Sequence, residues 1–276
     1  MTLGYCRQHY YKQLKDKARK VNAEQQVREL IAAERKVLPR LGGRKLYYCI
    51  KTKLKASSIK LGRDGLFAIL RRNDLLIKPK RSYIQTTMSR HWMHKYPNLV
   101  KEKTVYRPEQ VWVSDITYIQ TDEGNCYLNL VTDAFSRKIM GYAIAGNMEA
   151  GTMKGALQMA IKQRLYKDQP LIHHSDRGLQ YCSREYVQLA TDNGITISMT
   201  ENGDPYENAL AERMNRTLKE EFGLGERLPS REIAYKITRE AIRLYNNRRP
   251  HLSLQMKTPW HVHQQKSRQP EATGIF

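Results

Sequence analysis

Apolar residues along the chain change their spacing twice, and each spacing predicts a different kind of element. Between residues 23 and 75 they recur every three to four positions, the period of helices with one buried face. Ala23–Leu38 carries Val27, Leu30, Ile31 and Ala33 and stops at Pro39. After a Gly42-Gly43 turn, Arg44–Lys55 presents Leu46, Tyr47, Ile50 and Leu54. Gly62 then opens Arg63–Leu75, with Leu66, Phe67, Ile69 and Leu70 inward and Arg63, Arg71 and Arg72 outward. Residues 1–20 read as a short basic helical arm without a core of its own, and 78–105 as a basic linker lying extended.

From residue 106 the period shortens to two. Val111–Gln120 puts Val111, Val113, Asp115, Thr117 and Ile119 on one face of a strand. Turn formers at 122–125 and 136–138 lead into Cys126–Phe135 and Ile139–Ala145, which gives three antiparallel strands in succession. Met148–Tyr166 is helical again, with Met153, Ala156, Leu157, Ala160, Ile161 and Leu165 inward. A short strand ends at Asp176, a helix Ser183–Asn193 is capped by Ser183 and stopped by Gly194, and Ile195–Thr200 is a last strand. Asn202-Gly203-Asp204-Pro205 turns the chain into a helix from Glu207, with Leu210, Met214, Leu218 and Phe222 in one stripe. Leu228–Asn246 forms a final helix, and the polar tail after Trp260 is expected to fray. This order predicts an α/β domain, a mixed sheet with helices on both faces, preceded by an all-α domain. The expected boundaries are 1–22, 23–77, 78–105, 106–260 and 261–276.

Charge sharpens that division. The chain of 276 residues carries a net +21, and almost all of it lies at one end. Residues 1–106 hold 26 lysines and arginines against 7 acidic residues, whereas residues 107–276 hold 22 against 20. A basic end on a nearly neutral body fits a nucleic acid better than a membrane, since no long apolar segment accompanies it. Cys6, Cys49, Cys126 and Cys182 are isolated in sequence and read as free thiols of a reducing, cytoplasmic interior. His91-x-x-His94 and His261-x-His263 lack partner cysteines at zinc-finger spacing and read as surface or groove histidines.

Three carboxylates stand out. Asp115 sits in the middle of a packed strand face, which is costly unless the group is paired or holds a metal. Asp176 falls at the C-terminal edge of a strand, where open sheets collect ligands. Glu212 follows 35 intervening residues later, on a polar helix stripe with Asn208, Asn215, Arg216 and Lys219. Helix geometry puts Glu212 and Lys219 within roughly 20° of each other and about 10 Å apart along the axis. On its own that stripe reads first as the solvated face of an ordinary amphipathic helix. Asp133 is a further carboxylate near the site, explained as a turn former, and His174 is a groove candidate that reads as readily as a packed histidine.

The segments WVSDITYI, HHSDRGLQY, ENALAERMNRTLKEE and YNNRRPHLSL, in that order and spacing, resemble the second-frame transposases of the insertion sequence three family. The resemblance runs from the first helix to about Pro259. It implies a ribonuclease-H-like, integrase-type catalytic core with Asp115, Asp176 and Glu212 as catalytic residues. These would hold two Mg²⁺ ions, with Mn²⁺ as a substitute, for cleavage and strand transfer at the terminal inverted repeats of an element. Lys219, Asn208 and Arg216 become candidate DNA contacts of the core. Residues 23–77 resemble a helix-turn-helix that offers Arg63, Arg71 and Arg72 to double-stranded DNA. The resemblance also implies a homo-oligomer in a synaptic complex, an upstream-frame protein as fusion partner, and a location at the bacterial nucleoid. Two other classes share parts of the pattern: a ribonuclease-H-type nuclease or resolvase, and a catalytically inactive DNA-binding regulator. The chain departs from the family in having Leu41-Gly42-Gly43-Arg44-Lys45 where a Tyr-Gly-x-Arg-Arg-like start is usual.

Overall fold

The computed structural model describes residues 7–77, 93–147, 150–201 and 208–265, which fall into two compact units, Met1–Pro79 and Lys80–Phe276. The smaller unit is helical: α1 (Arg7–Val37), α2 (Gly43–Ala56) and α3 (Arg63–Arg72). No break separates an arm from a first helix, because α1 runs unbroken for 31 residues. Its first half is rich in Lys, with Arg and Gln, good helix formers without Gly or Pro, so the helix continues where the apolar period lapses. Val27 and Ile31 are buried as expected, but the next inward position is Glu34, which pairs with Lys53, whereas Ala33 is exposed. Leu46, Ile50 and Leu54 of α2 and Leu66, Ile69 and Leu70 of α3 complete this small core. A Cβ at Gly43 would come within 2.7 Å of the Phe67 ring, so a larger residue at the start of α2 would push that ring aside. α3 ends at Arg72, three residues short of expectation. Arg72 and Asn73 there both bond the Glu24 carboxylate of α1, at 2.5 and 3.2 Å.

The larger unit is built on five strands: β1 (Val111–Thr121), β2 (Gly124–Asp133), β3 (Ile139–Ala145), β4 (Leu171–Ser175) and β5 (Ile195–Met199). Their order in the sheet is β3-β2-β1-β4-β5, antiparallel among the first three and parallel from β1 onward. β2 begins at Gly124, two residues before expectation. Gly124 adopts φ +101°, which a side-chain-bearing residue rarely does, and pairs directly with Thr121. The sheet carries helices on both faces. On one, α4 (Ala150–Lys162), α5 (Leu179–Cys182) and α6 (Arg184–Asp192) bury Ala156, Leu157, Ala160, Tyr181 and Tyr186 against Trp112, Val131 and Met140. β3 and α4 approach so closely that a Cβ at Gly141 would collide with the Ala156 carbonyl. On the other, α7 (Ala209–Glu221) packs Ala211 onto Val111, Val113 and Ala134. α8 (Arg231–Asn247) lies beyond it, with the Tyr245 hydroxyl 3.4 Å from the Met214 sulfur.

Two expectations at the edges of this domain are corrected. Residues 93–105 belong to the core instead of lying extended. Met93 and Tyr96 pack on the α4 face, and Leu99 N donates to Ser198 Oγ at 2.9 Å. The first half of that linker, 78–92, lies outside the described residues. At the other end the tail does not fray at residue 261: α9 (Pro259–His263) places His263 fully inside. Its imidazole is 3.1 Å from Glu109 and 3.0 Å from Ser136 Oγ. Overall polar composition misled in both places: Met93 and Tyr96 anchor the first stretch among its basic residues, and His263 is buried because Glu109 and Ser136 are there to bond it.

Candidate active site

The parallel register between β1 and β4 ends on the pair Ser114 and Ser175. The next residue on each strand is an aspartate, so Asp115 and Asp176 stand beside each other where the two strands part. Asp115 Oδ1 accepts from Ile116 N at 2.9 Å, and Oδ2 accepts from the side-chain amide of Asn215 at 2.8 Å. Asp176 Oδ1 accepts from Gly178 N at 3.1 Å, which turns that carboxylate back over the strand end. Asn215 lies on α7, three residues after Glu212. Its bond to Asp115 therefore fixes the helix turn that carries the third carboxylate.

The charges register one another. Burial, then Asp176 and then Glu212 push Asp115 from 3.8 up to about 7, against the opposing bonds from Asn215 and Ile116. Glu212, although exposed at its tip, is also raised, first by burial and then by Asp176. The three therefore share one electrostatic field. Among the described residues no three His, Cys, Asp or Glu side chains close around a point that an ion would occupy. Three carboxylates brought together repel, and the exposed Glu212 is the one with room to swing away.

Lys219 lies two turns after Glu212. Its Nζ sits 4.3 Å from the centroid of the Tyr118 ring, and burial lowers its pKa while Asp115 works the other way. The remaining expected contacts divide. Arg63, Arg71 and Arg72 are exposed on α3, with Arg63 bonded to Asp64 at 3.1 Å and Arg72 already engaged by Glu24. Arg216 is exposed and pairs with Glu220 one turn on, at 2.8 Å. Asn208 is not an open DNA contact: it is buried, and its amide donates to the Ser114 carbonyl at 2.9 Å. His174 does not line the groove either. It is fully buried, with Nδ1 2.9 Å from Ser198 Oγ, because alternate residues of a central strand with helices on both faces all point into packing.

Other residues that hold the candidate site in place escaped the sequence. Asn215 appeared to be one more member of the polar stripe, yet it is buried and holds Asp115. Behind the site, His173 Nε2 lies 2.8 Å from Ser114 Oγ and 3.0 Å from the Tyr186 hydroxyl. Burial drives its pKa down to about 3, so it is a neutral prop for the aspartate-bearing strand. Asp133 is remote from the cluster in its bonding. Its carboxylate accepts from Glu109 N, Ser136 N and Ser136 Oγ at 2.6, 2.7 and 2.6 Å. His173 and Asp133 carried a signal, as polar residues in largely apolar strands, whereas Asn215 carried none.

Comparison with known proteins bears on this arrangement. Residues 105–205 match one model of the integrase core domain, and residues 193–259 match a second. The insertion element IS600 uncharacterized 31 kDa protein of Shigella sonnei is 34% identical over 250 residues, covering 90% of each chain. Transposase InsF for insertion sequence IS3A of Escherichia coli is 36% identical over 182 residues, 65% of this chain and 62% of its own length. The chain belongs to the insertion sequence three family of transposases. One chain of the simian T-cell lymphotropic virus intasome, solved with a PP2A regulatory subunit, shares the fold at 18% identity and a TM-score of 0.51. That likeness covers 89% of this chain and 79% of the viral one. This transposase is thus a polynucleotidyl transferase of the integrase type acting on DNA. No described helix is long and apolar enough to cross a membrane.

Proposed function

We propose that this transposase cuts and joins DNA at the terminal inverted repeats of its element, with Asp115, Asp176 and Glu212 as catalytic carboxylates. The observation that carries the reading is the β1–β4 register. It makes neighbours of two aspartates 61 positions apart, while Asn215 ties the Glu212 helix to the first of them. The donors suit a hard divalent cation: three carboxylates, no thiol or imidazole, and on each Asp115 oxygen one accepted hydrogen bond with a second lone pair to offer. Asp115 would be shared between two Mg²⁺ ions, with Asp176 and Glu212 completing one site each and Mn²⁺ able to substitute. When bound, such a pair stabilises the charge that builds on the attacking and leaving oxygens of a phosphodiester.

The chain's own residues do the positioning. Asn215 and the Ile116 amide orient the Asp115 carboxylate, Gly178 orients Asp176, and the buried back of the site keeps water from the Asp115 side. Lys219 holds a phosphate of the DNA end. In the smaller unit, Arg71 and Arg63 on the exposed face of α3 contact duplex DNA, as a helix-turn-helix would. The working form is an oligomer spanning both element ends, acting in the cytoplasm at the nucleoid and joined to an upstream-frame partner.

The test is cleavage and joining of a labelled duplex carrying the terminal repeat, with Mg²⁺, Mn²⁺ or Ca²⁺. Cleavage and joined product with Mg²⁺ and Mn²⁺, lost in Asp115→Asn, Asp176→Asn and Glu212→Gln, are expected. Cutting without any joined product would favour the nuclease reading, and tight binding without cutting the inactive regulator.

A further inference from the structure

The contact between Lys219 and Tyr118 is unusual in where it occurs. β1 runs on past Ser114, the last residue it pairs with β4, so residues 115–121 have β2 on one side and, among the described residues, only a single parallel bridge from Thr121 to Leu228 on the other. The chain after α7 partly covers this stretch: Leu228 N donates to the Gln120 carbonyl at 2.9 Å and Asp122 N to the Leu228 carbonyl at 3.0 Å. The same segment fixes the base of Lys219. Gly225 N donates to the Lys219 carbonyl at 3.1 Å, and a Cβ at Gly225 would lie 3.2 Å from the Lys219 Cβ. Only the ammonium end of that side chain remains to be placed, and it rests 4.3 Å from the centroid of the Tyr118 ring. Tyr118 is three residues beyond Asp115 on the same strand. The strand that presents a carboxylate at Asp115 thus also presents, three residues further on, an aromatic ring to the cation of α7.

We propose that Tyr118 is a positioning residue for DNA-end engagement, its ring holding the Lys219 ammonium in the place where it receives the phosphate beside the scissile bond. The proposal rests on the reading of Lys219 as a DNA contact. The physical gain is conformational. A lysine on a helix surface has one of the largest rotamer entropies of any side chain, and ordering it at the moment of binding weakens the grip. A ring face attracts an ammonium without neutralising it, so the charge remains available to a phosphate. An acidic partner in the same place would compete with the DNA, and an aliphatic one would leave the lysine wandering.

The experiment measures cleavage of a duplex carrying the terminal repeat by the full chain, with KM for DNA and kcat taken separately, for Tyr118→Phe, Tyr118→Leu, Lys219→Ala and the Tyr118→Leu/Lys219→Ala double variant. Tyr118→Phe keeps the ring face and stays within about twofold of the parent. Tyr118→Leu keeps an apolar side chain and raises KM about three- to tenfold. In the Lys219→Ala background the Tyr118→Leu change has no further effect on KM, which a purely structural role would not produce. If Tyr118→Leu costs as much in that background as in the parent, the positioning proposal fails while Lys219 keeps its role. If Lys219→Ala itself behaves as the parent while Asp115→Asn is inactive, the DNA contact falls. The proposal then falls with it, and the carboxylate centre stands.

Discussion

Replacing Asp115 by Asn tests whether the three carboxylates strain the fold in the absence of a cation. Asp115 has its pKa raised from 3.8 to about 7, chiefly by burial and then by Asp176. A carboxyl raised in the fold contributes stability that is fully present below its unfolded pKa and is lost as pH rises through the folded one. At about 1.4 kcal/mol per unit, the loss is about 1.5 kcal/mol at pH 5 and about 4 kcal/mol by pH 8. Asn removes the titration but turns one acceptor into a donor. One of the two bonds from Ile116 N and Asn215 is then lost, at a cost of about 1 kcal/mol. The variant should therefore match the parent near pH 5 and be more stable by about 3 kcal/mol at pH 8. In a chain of this size the shift in melting temperature should differ between the two pH values by about 5–10 °C. The assay is thermal unfolding in a chelating buffer at both pH values. A shift of the same size and sign at pH 5 and pH 8 would refute the reasoning, because the change would then be one of packing and not of charge.

Other outcomes follow from the same geometry. Asp115→Asn, Asp176→Asn and Glu212→Gln should each abolish metal-dependent cleavage while changing DNA affinity by only a few-fold, read by gel shift beside the nicking assay. Asn215→Leu should lower kcat about tenfold or more by releasing Asp115, with a smaller effect on DNA affinity; an unchanged kcat would remove Asn215 from the site. His263 is raised above the ordinary imidazole range: burial disfavours its charge, but Asp133 and Glu109 together outweigh that. Its stabilisation is present at low pH and lost as pH rises through that raised value, so His263→Gln should cost about 3 kcal/mol at pH 6 and less at pH 9 in urea unfolding. On α3, Arg71→Ala should weaken duplex binding and flatten its salt dependence by about one unit of slope. Arg72→Ala should affect binding less, since Arg72 is held by Glu24.

The sequence by itself determined the chain's division into a basic helical unit and an α/β unit, and the identity and order of nearly every strand and helix. Period and turn chemistry are local properties, so β3 was readable to the residue and α6 through its Ser183 cap and Gly194 stop. Asp115 and Asp176 stood out as candidates because a carboxylate in an apolar strand or at a strand end is expensive, whereas Glu212, on a polar helix stripe, stood out only through the family resemblance. What only the tertiary structure decided is which polar residues face the site and which face the core. Asn208, at the N-cap of α7, and Asn215 and Glu212 within it share one apparent stripe. Packing of this segment against β1 buries the two asparagines on Ser114 and Asp115 and leaves Glu212 exposed. The same holds for His263, a polar residue near the end of the described chain that is drawn inside by Glu109, itself 154 positions earlier. Apolar burial is proportional to area and follows from composition. A buried hydrogen bond needs a particular partner at a particular distance, and that partner is found only once the chain has folded.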